Sequence, residues 1–204
     1  MENQTQPKFE FIAGQLCLDF INTEIRPHGE RVDLLKSFYD LLQWQVEAGL
    51  LEAETAAQAG REWGDTPQGE DALVQARRFR RTLREMVEQI IDGQAVAPGA
   101  VDEINRFLKV RSGYRQLARA GEGFAGKFLY LPTEPIHLLG PIAETALDLL
   151  CEADLSLLKR CGSGTCIRLF YDTTKNHSRR WCSMESCGNR VKVAAYYERK
   201  RRGD

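Results

Sequence analysis

Four cysteines in the last quarter of this 204-residue chain stand as two close pairs, Cys161 with Cys166 and Cys182 with Cys187, with fifteen residues between the pairs. Each Cys-x4-Cys spacing spans about one turn of backbone, and a hairpin between them folds one pair over the other. Four thiolates so placed fill the tetrahedral shell of Zn²⁺ and leave no position for water or substrate. Such a closed site holds a fold and does no chemistry of its own. Two disulfides are the competing reading, and they suit an oxidising compartment. Residues 1–7 are polar and lead into no long apolar run, so no export signal is expected. No apolar stretch reaches the ~20 residues that cross a bilayer. The expectation is therefore a cytoplasmic protein with no membrane partner and one structural Zn²⁺ per chain. Cys17 and Cys151 stand singly among apolar neighbours and are expected to be small buried hydrophobes without a role.

The formal net charge of −1 conceals two modules of opposite sign. From Leu157 onward there are twelve Lys and Arg against four acids, a balance of +8 that leaves −9 for everything before it. This change of sign divides the chain into residues 1–156 and 157–204. With 43% hydrophobic residues, the longer part can build a core of its own.

That acidic body reads as mostly helical. Leu34, Leu35, Phe38, Leu41, Leu42 and Val46 recur at helical spacing over residues 33–48, with Asp33 as the expected cap and Gly49 as the stop. Residues 70–92 place Leu73, Ala76, Leu83, Val87 and Ile90 on one stripe. Pro98 opens a third helix, and a fourth begins near Pro141. Between Ser112 and Leu131, two extended runs flank Gly121-Glu122-Gly123, which predicts a hairpin. The fold class expected is α+β: a mostly helical N-terminal domain with a small β-hairpin, followed by a treble-clef-like zinc finger with four cysteine ligands.

Residues 16–23 fit a strand and a helical turn equally well. In both cases Asp19 and Asn22 fall inside an apolar run and need partners. They either pin the segment that follows, with Asp19 paired to Arg31, or line a small-molecule pocket together with Arg31.

Within the basic part, residues 167–171 read as a strand, 172–178 as a turn and 179–181 as the returning strand. Ser183 stands where a helix N-cap belongs, so the second cysteine pair straddles a helix start. Phe170 and Trp181 are the expected miniature core. His177, beside Lys175, Asn176 and Ser178, reads as an exposed turn residue, not a metal ligand.

Here the residues resemble a known family. Cys161-x4-Cys166, Leu169-Phe170-Tyr171-Asp172-Thr173, the run from Asn176 to Met184, and Cys187-Gly188-Asn189-Arg190 together look like the CGNR zinc finger. The body is similar to the ABATE domain through Leu18-Asp19-Phe20-Ile21-Asn22-Thr23 and the later Asp33-Leu34-Leu35 and Gly49-Leu50-Leu51. The resemblance implies a bacterial, stress-linked transcription regulator.

The positive charge points to nucleic acid independently of that resemblance. Lys175, Arg179, Arg180, Asn189, Arg190 and Lys192 cluster around the cysteines, where cations can meet phosphates. Asn189 and Arg190 have the bidentate geometry that reads base edges. Alternatively, Arg190 braces carbonyls near the cysteines, and the residues from Arg199 to Arg202 form a solvated helix end. The leading expectation is a DNA-binding regulator whose body senses a small molecule or forms a homodimer. An RNA- or ribosome-associated protein and a protein-interaction module are the alternatives. No phosphate-binding loop, dinucleotide motif, serine elbow or triad argues for an enzyme.

Overall fold

The computed structural model describes residues 8–202; the polar N-terminal stretch 1–7 and the last two residues of the basic part lie outside it. Helix α1, Leu16–Ile21, decides the ambiguous segment in favour of a helix and buries Cys17, Leu18, Asp19, Phe20 and Ile21. Two short strands follow, β1 (Glu24–Ile25) and β2 (Val32–Asp33), paired antiparallel.

Helix α2 is Phe38–Glu47, and it begins later than its apolar pattern suggests. Ser37 caps it, its hydroxyl accepting from the Asp40 peptide while the Asp40 carboxylate accepts from the Ser37 peptide at 2.7 Å. Asp33 is engaged elsewhere, because its carboxylate accepts from the Arg80 guanidinium at 2.8 Å. Gly49 ends α2 as expected, in the left-handed conformation at φ 70°.

Helix α3, Ala53–Trp63, has no counterpart in the sequence reading. It is rich in alanine and charge and contributes only Ala56, Ala59, Gly60 and Trp63 to the interior. Helix α4, Pro67–Ile91, is the spine of the molecule, with 25 residues and a length of about 37 Å. Thr66 caps it and Pro67 opens it, so it starts a turn before the stripe that identified it.

Helix α5 (Pro98–Lys109) leads into the ribbon β3 (Gly113–Ala120) and β4 (Gly123–Tyr130), closed by the two-residue turn Gly121-Glu122. Helix α6, Gly140–Glu152, returns the chain to the core. Cys17 is buried as expected and its thiol is pushed up to about 12 by desolvation. Cys151, by contrast, is exposed, because it falls on the outer side of α6.

The aromatic rings of Phe20, Trp44, Phe79 and Phe107 join α1, α2, α4 and α5, with centroids 5.2 Å apart for Phe20–Trp44 and 4.6 Å for Phe79–Phe107. Leu158, Leu169, Phe170 and the buried cysteines Cys161, Cys182 and Cys187 belong to this same core. Phe170 therefore does not belong to a separate miniature core. The metal-binding segment is built onto the body and shares its interior. No described helix is long and apolar enough to cross a membrane.

Candidate metal centre and nucleic-acid interface

The cysteines are carried by strands β5 (Leu158–Arg160) and β6 (Leu169–Tyr171), a π-type turn Met184–Gly188 and helix α7 (Asn189–Arg202). The sequence pattern suggested a hairpin between the cysteine pairs. The observed ladder instead joins β5 to β6 and encloses the first pair, with Lys159 opposite Phe170. Residues 179–181 do not form a strand, because the buried Asp172 carboxylate gathers the chain before it can extend. It accepts from the Thr174 peptide at 3.0 Å, the Thr174 hydroxyl at 2.6 Å, the Arg179 peptide at 2.9 Å and the Lys159 ammonium at 2.6 Å. Against the push of burial, these donors hold Asp172 well below the usual carboxylate range. His177 completes the turn in the left-handed conformation at φ 48°, exposed as expected, and its carbonyl accepts from Lys159 at 2.6 Å.

The four sulfur atoms of Cys161, Cys166, Cys182 and Cys187 all lie within 4.8 Å of one another. Sγ separations of 3.8 Å for Cys166–Cys182 and 3.6 Å for Cys182–Cys187 match the ~3.8 Å edge of a tetrahedron with ~2.3 Å metal–sulfur bonds. They far exceed the ~2.05 Å of a disulfide. Backbone donors support the sulfurs: the Cys182 peptide donates to Cys161 Sγ at 3.4 Å and the Arg168 peptide to Cys166 Sγ at 3.5 Å. Contacts from the Cys166 and Cys182 thiols draw the Cys161 thiol far down, while contacts with Cys161 and Cys166, followed by burial, drive Cys182 far up. A divalent cation among the sulfurs removes that conflict by letting all four ionise.

Ser183 accepts from the peptides of Glu185 and Ser186 at 3.1 and 3.4 Å, which caps the turn that carries Cys187. Gly188 leaves room there for the Met184 side chain, whose Sδ would lie 2.7 Å from a Cβ at this position.

Two arginines stand beside the sulfurs. Arg179 donates to Trp181 O at 3.0 Å, to Ile12 O at 2.8 Å and to Cys182 O, and its guanidinium lies 4.4 Å from the Phe170 ring centroid. It is half-buried, so its donors brace the cysteine segment against the N-terminal chain. Arg168 pairs with Glu10 at 2.5 Å with only 12% of its side chain exposed. A Zn²⁺ bound by four thiolates carries net charge −2, and both cations are placed to offset it.

Of the remaining candidate nucleic-acid contacts, Lys175, Arg180, Asn189, Arg190 and Lys192 are all exposed. Asn189 and Arg190 open α7, and Arg190 also borders a cleft of about 330 Å³ that includes Glu10, Arg26, Arg168 and Cys187.

Asp19, Asn22 and Arg31 are not brought together by any ion pair or hydrogen bond among the described residues. Arg31 is exposed and pairs with Glu24 at 3.0 Å, in place of the expected partner Asp19. Helix α1 turns the Asp19 carboxylate back toward the preceding chain, where Oδ1 accepts from the peptides of Ile12 and Ala13 at 2.9 and 2.8 Å. Burial raises its pKa to about 6. Asn22 holds strand β6 through the backbone of Leu169.

The residues that the sequence reading missed are Arg80 and Arg84 of α4. Arg80 joins Asp33 and Thr23, each at 2.8 Å. Arg84 reaches the carbonyls of Ile167 at 2.7 Å and Ile21 at 3.0 Å, so it ties the first cysteine pair's hairpin to α1. Their signal was present: positions 76, 80, 83, 84 and 87 share one helix face, and two arginines on an otherwise apolar stripe must be paired inside.

The chain matches the ABATE family model, described as a putative stress-induced transcription regulator, over residues 14–153. It matches the CGNR zinc finger over residues 158–200, the span that contains all four cysteines. No curated protein matches it. The chain belongs to the ABATE family and carries, at its C-terminal end, a CGNR zinc finger whose four cysteines are positioned to hold one metal ion.

Proposed function

We propose that this protein is a DNA-binding transcription regulator in which the metal centre fixes the base of α7 and α7 lies against duplex DNA. The observation that carries this reading is the state of α7 itself. It runs 14 residues, about 21 Å, and buries none of them. Six of its residues are cationic and one, Glu198, is acidic. Helices of this length are marginal in water without a partner. Its larger apolar side chains, Val193, Tyr196 and Tyr197, are exposed at i, i+3 and i+4, a short stripe of three residues that the six cations of the same helix outnumber. The major groove admits a helix between two phosphate walls and suits such an element. Exposed Lys175 and Arg180 extend the positive surface beyond the helix, and Asn189 and Arg190 are the candidates for base-edge contact.

The test is binding of the zinc-loaded chain to duplex DNA and to structured RNA across a salt series. Tighter binding to duplex is the expected result, with the logarithm of affinity falling linearly in the logarithm of salt concentration. Replacing Arg199, Lys200, Arg201 and Arg202 by Gln should weaken it by roughly tenfold or more. Preference for RNA would support the ribosome- or RNA-associated alternative, and binding to neither would favour protein interaction.

A further inference from the structure

The ribbon β3–β4 departs from the rest of the acidic body. Its strands of eight residues reach about 27 Å, and every residue from Gly113 to Lys127 is exposed. Cross-strand partners share a face, so the pairs Arg115–Phe128, Leu117–Gly126 and Arg119–Phe124 put two arginines, one leucine and two phenylalanines on one side. Toward the tip, Leu117 is 72% and Phe124 67% exposed. Leu117 stands opposite a glycine and has no side chain across from it to cover it. A free two-stranded ribbon is marginal in water, and one that displays large apolar groups calls for a surface to lie on.

A matching surface lies next to it on the same chain. Between α2 and α3 there is a shallow apolar depression of about 490 Å³, formed by Tyr39, Leu42, Val46, Ala53, Ala57 and Gly60. Gly60 lets the two helices approach, since a Cβ there would fall 3.2 Å from the Tyr39 ring. The ribbon's Lys127 pairs with Glu52, the residue that precedes α3, so ribbon and depression are neighbours on one continuous face. Their charges are opposite: residues 113–130 carry three cations and one acid, whereas residues 38–65 carry six acids and one cation.

We propose that the ribbon is an arm for self-association, with Leu117 and Phe124 of one copy seated in the α2–α3 depression of a second copy of this chain. Because each chain carries both arm and depression side by side, a two-fold axis places two arms in two depressions at once. The reciprocity matters, since stable interfaces bury on the order of 1,200–2,000 Å², more than a single ribbon tip covers. Arg115 and Arg119 then meet the acidic rim that includes Glu47. Leucine at the tip favours this partner over nucleic acid, because it neither stacks on bases nor pairs with phosphate.

Sedimentation or light scattering of the zinc-loaded full chain tests the proposal. The parent should have about twice the 23.2 kDa chain mass. The double substitution Leu117→Asp with Phe124→Asp, and separately Ala57→Glu, should each give the single-chain mass with zinc content and helical signal unchanged. All three positions are exposed, so neither variant disturbs the core. A parent that stays single at high concentration overturns the proposal, as do variants that keep the parent's mass. If the parent is single and Arg115→Ala with Arg119→Ala lowers duplex affinity, the ribbon is a nucleic-acid contact and the proposal falls.

Discussion

Asn22 and Leu169, 147 positions apart in sequence, are joined by two hydrogen bonds: Asn22 Nδ2 donates to Leu169 O at 2.8 Å, and the Leu169 peptide donates to Asn22 Oδ1 at 3.0 Å. The side-chain amide thus pairs with strand β6 as a neighbouring peptide would. Asn22→Ala leaves both Leu169 groups without partners in a buried place and should lower the unfolding free energy by roughly 2–4 kcal/mol. Asn22→Asp should not restore it, because a carboxylate has no donor for Leu169 O. Denaturant unfolding at neutral pH measures both. Parent-like stability of the Ala variant would remove Asn22 from the structural role.

Arg84 makes the corresponding connection from the spine. Arg84→Met should cost on the order of 3 kcal/mol, since the carbonyls of Ile21 and Ile167 lose a charged donor while buried. Arg84→Lys should recover little, because one ammonium cannot reproduce a fork that spans two segments. Chelator-resistant zinc, measured alongside stability, should fall in both variants.

Metal removal should destabilise more than the finger. Elemental analysis should give about one zinc per chain, and X-ray absorption should show only sulfur in the first shell near ~2.3 Å. Because Cys161, Cys182 and Cys187 share the core of the body, removing zinc should lower the melting of the α-helical signal as a whole. An unchanged helical transition after metal removal would mean that the body does not feel the site.

Asp19 gives the stability a specific pH dependence. Its folded pKa of about 6 lies above the ordinary 3.8, so the folded state favours the protonated form. The stability this brings is full below pH ~4 and is lost as pH rises through about 6, on the order of 3 kcal/mol in total. Asp19→Asn retains an acceptor for Ile12 and Ala13 and should abolish that loss. The difference in unfolding free energy between variant and parent should therefore change across pH 4–7; a constant difference would sink the argument.

The arginines around the metal should separate by role. Arg180→Ala and Arg190→Ala, both at exposed positions, should weaken duplex binding and flatten its salt slope by about one unit for each phosphate no longer neutralised. If Arg190 reads a base, its loss should also relax sequence preference at one position, at a cost of about 1–3 kcal/mol. Arg179→Ala should instead reduce zinc retention, because its donors hold the carbonyls of Ile12, Trp181 and Cys182. Equal salt slopes for the Arg180 variant and the parent would remove the finger as the phosphate-binding surface.

The zinc ligands were legible in the sequence because close cysteine pairs have few uses, and the long helices were legible because their apolar stripes face one core. Starts were harder to read. Asp33 looks like a cap, yet Arg80, 47 residues later, claims its carboxylate, and Ser37 caps α2 in its place. Helix α3 escaped because its inner stripe, Ala56, Ala59, Gly60 and Trp63, is regular but built mostly of small residues that do not stand out as apolar. The finger's ladder was misplaced because strand pairing is non-local, and the donors that fold residues 172–179 around Asp172 come partly from Lys159 on the other strand. Arg179 looked like a phosphate ligand because its sequence neighbours are polar, whereas the carbonyl of Ile12 that it reaches lies 167 positions away.

The bonds of Asn22 and Arg84 to the finger, together with that of the Tyr171 peptide to Ala13 O at 2.7 Å, mean that the ABATE fold is completed by residues beyond its own stretch of sequence. A chain truncated after Ala153 would keep every helix from α1 to α6 but lose the strand that lies over α1. Asn22 and the Ala13 carbonyl would then face water together with the apolar surface that Leu169 and Phe170 had covered. Such a fragment should be stickier and less soluble than the whole chain, and grafting the finger onto another protein should be equally unproductive, because half of its walls would be left behind.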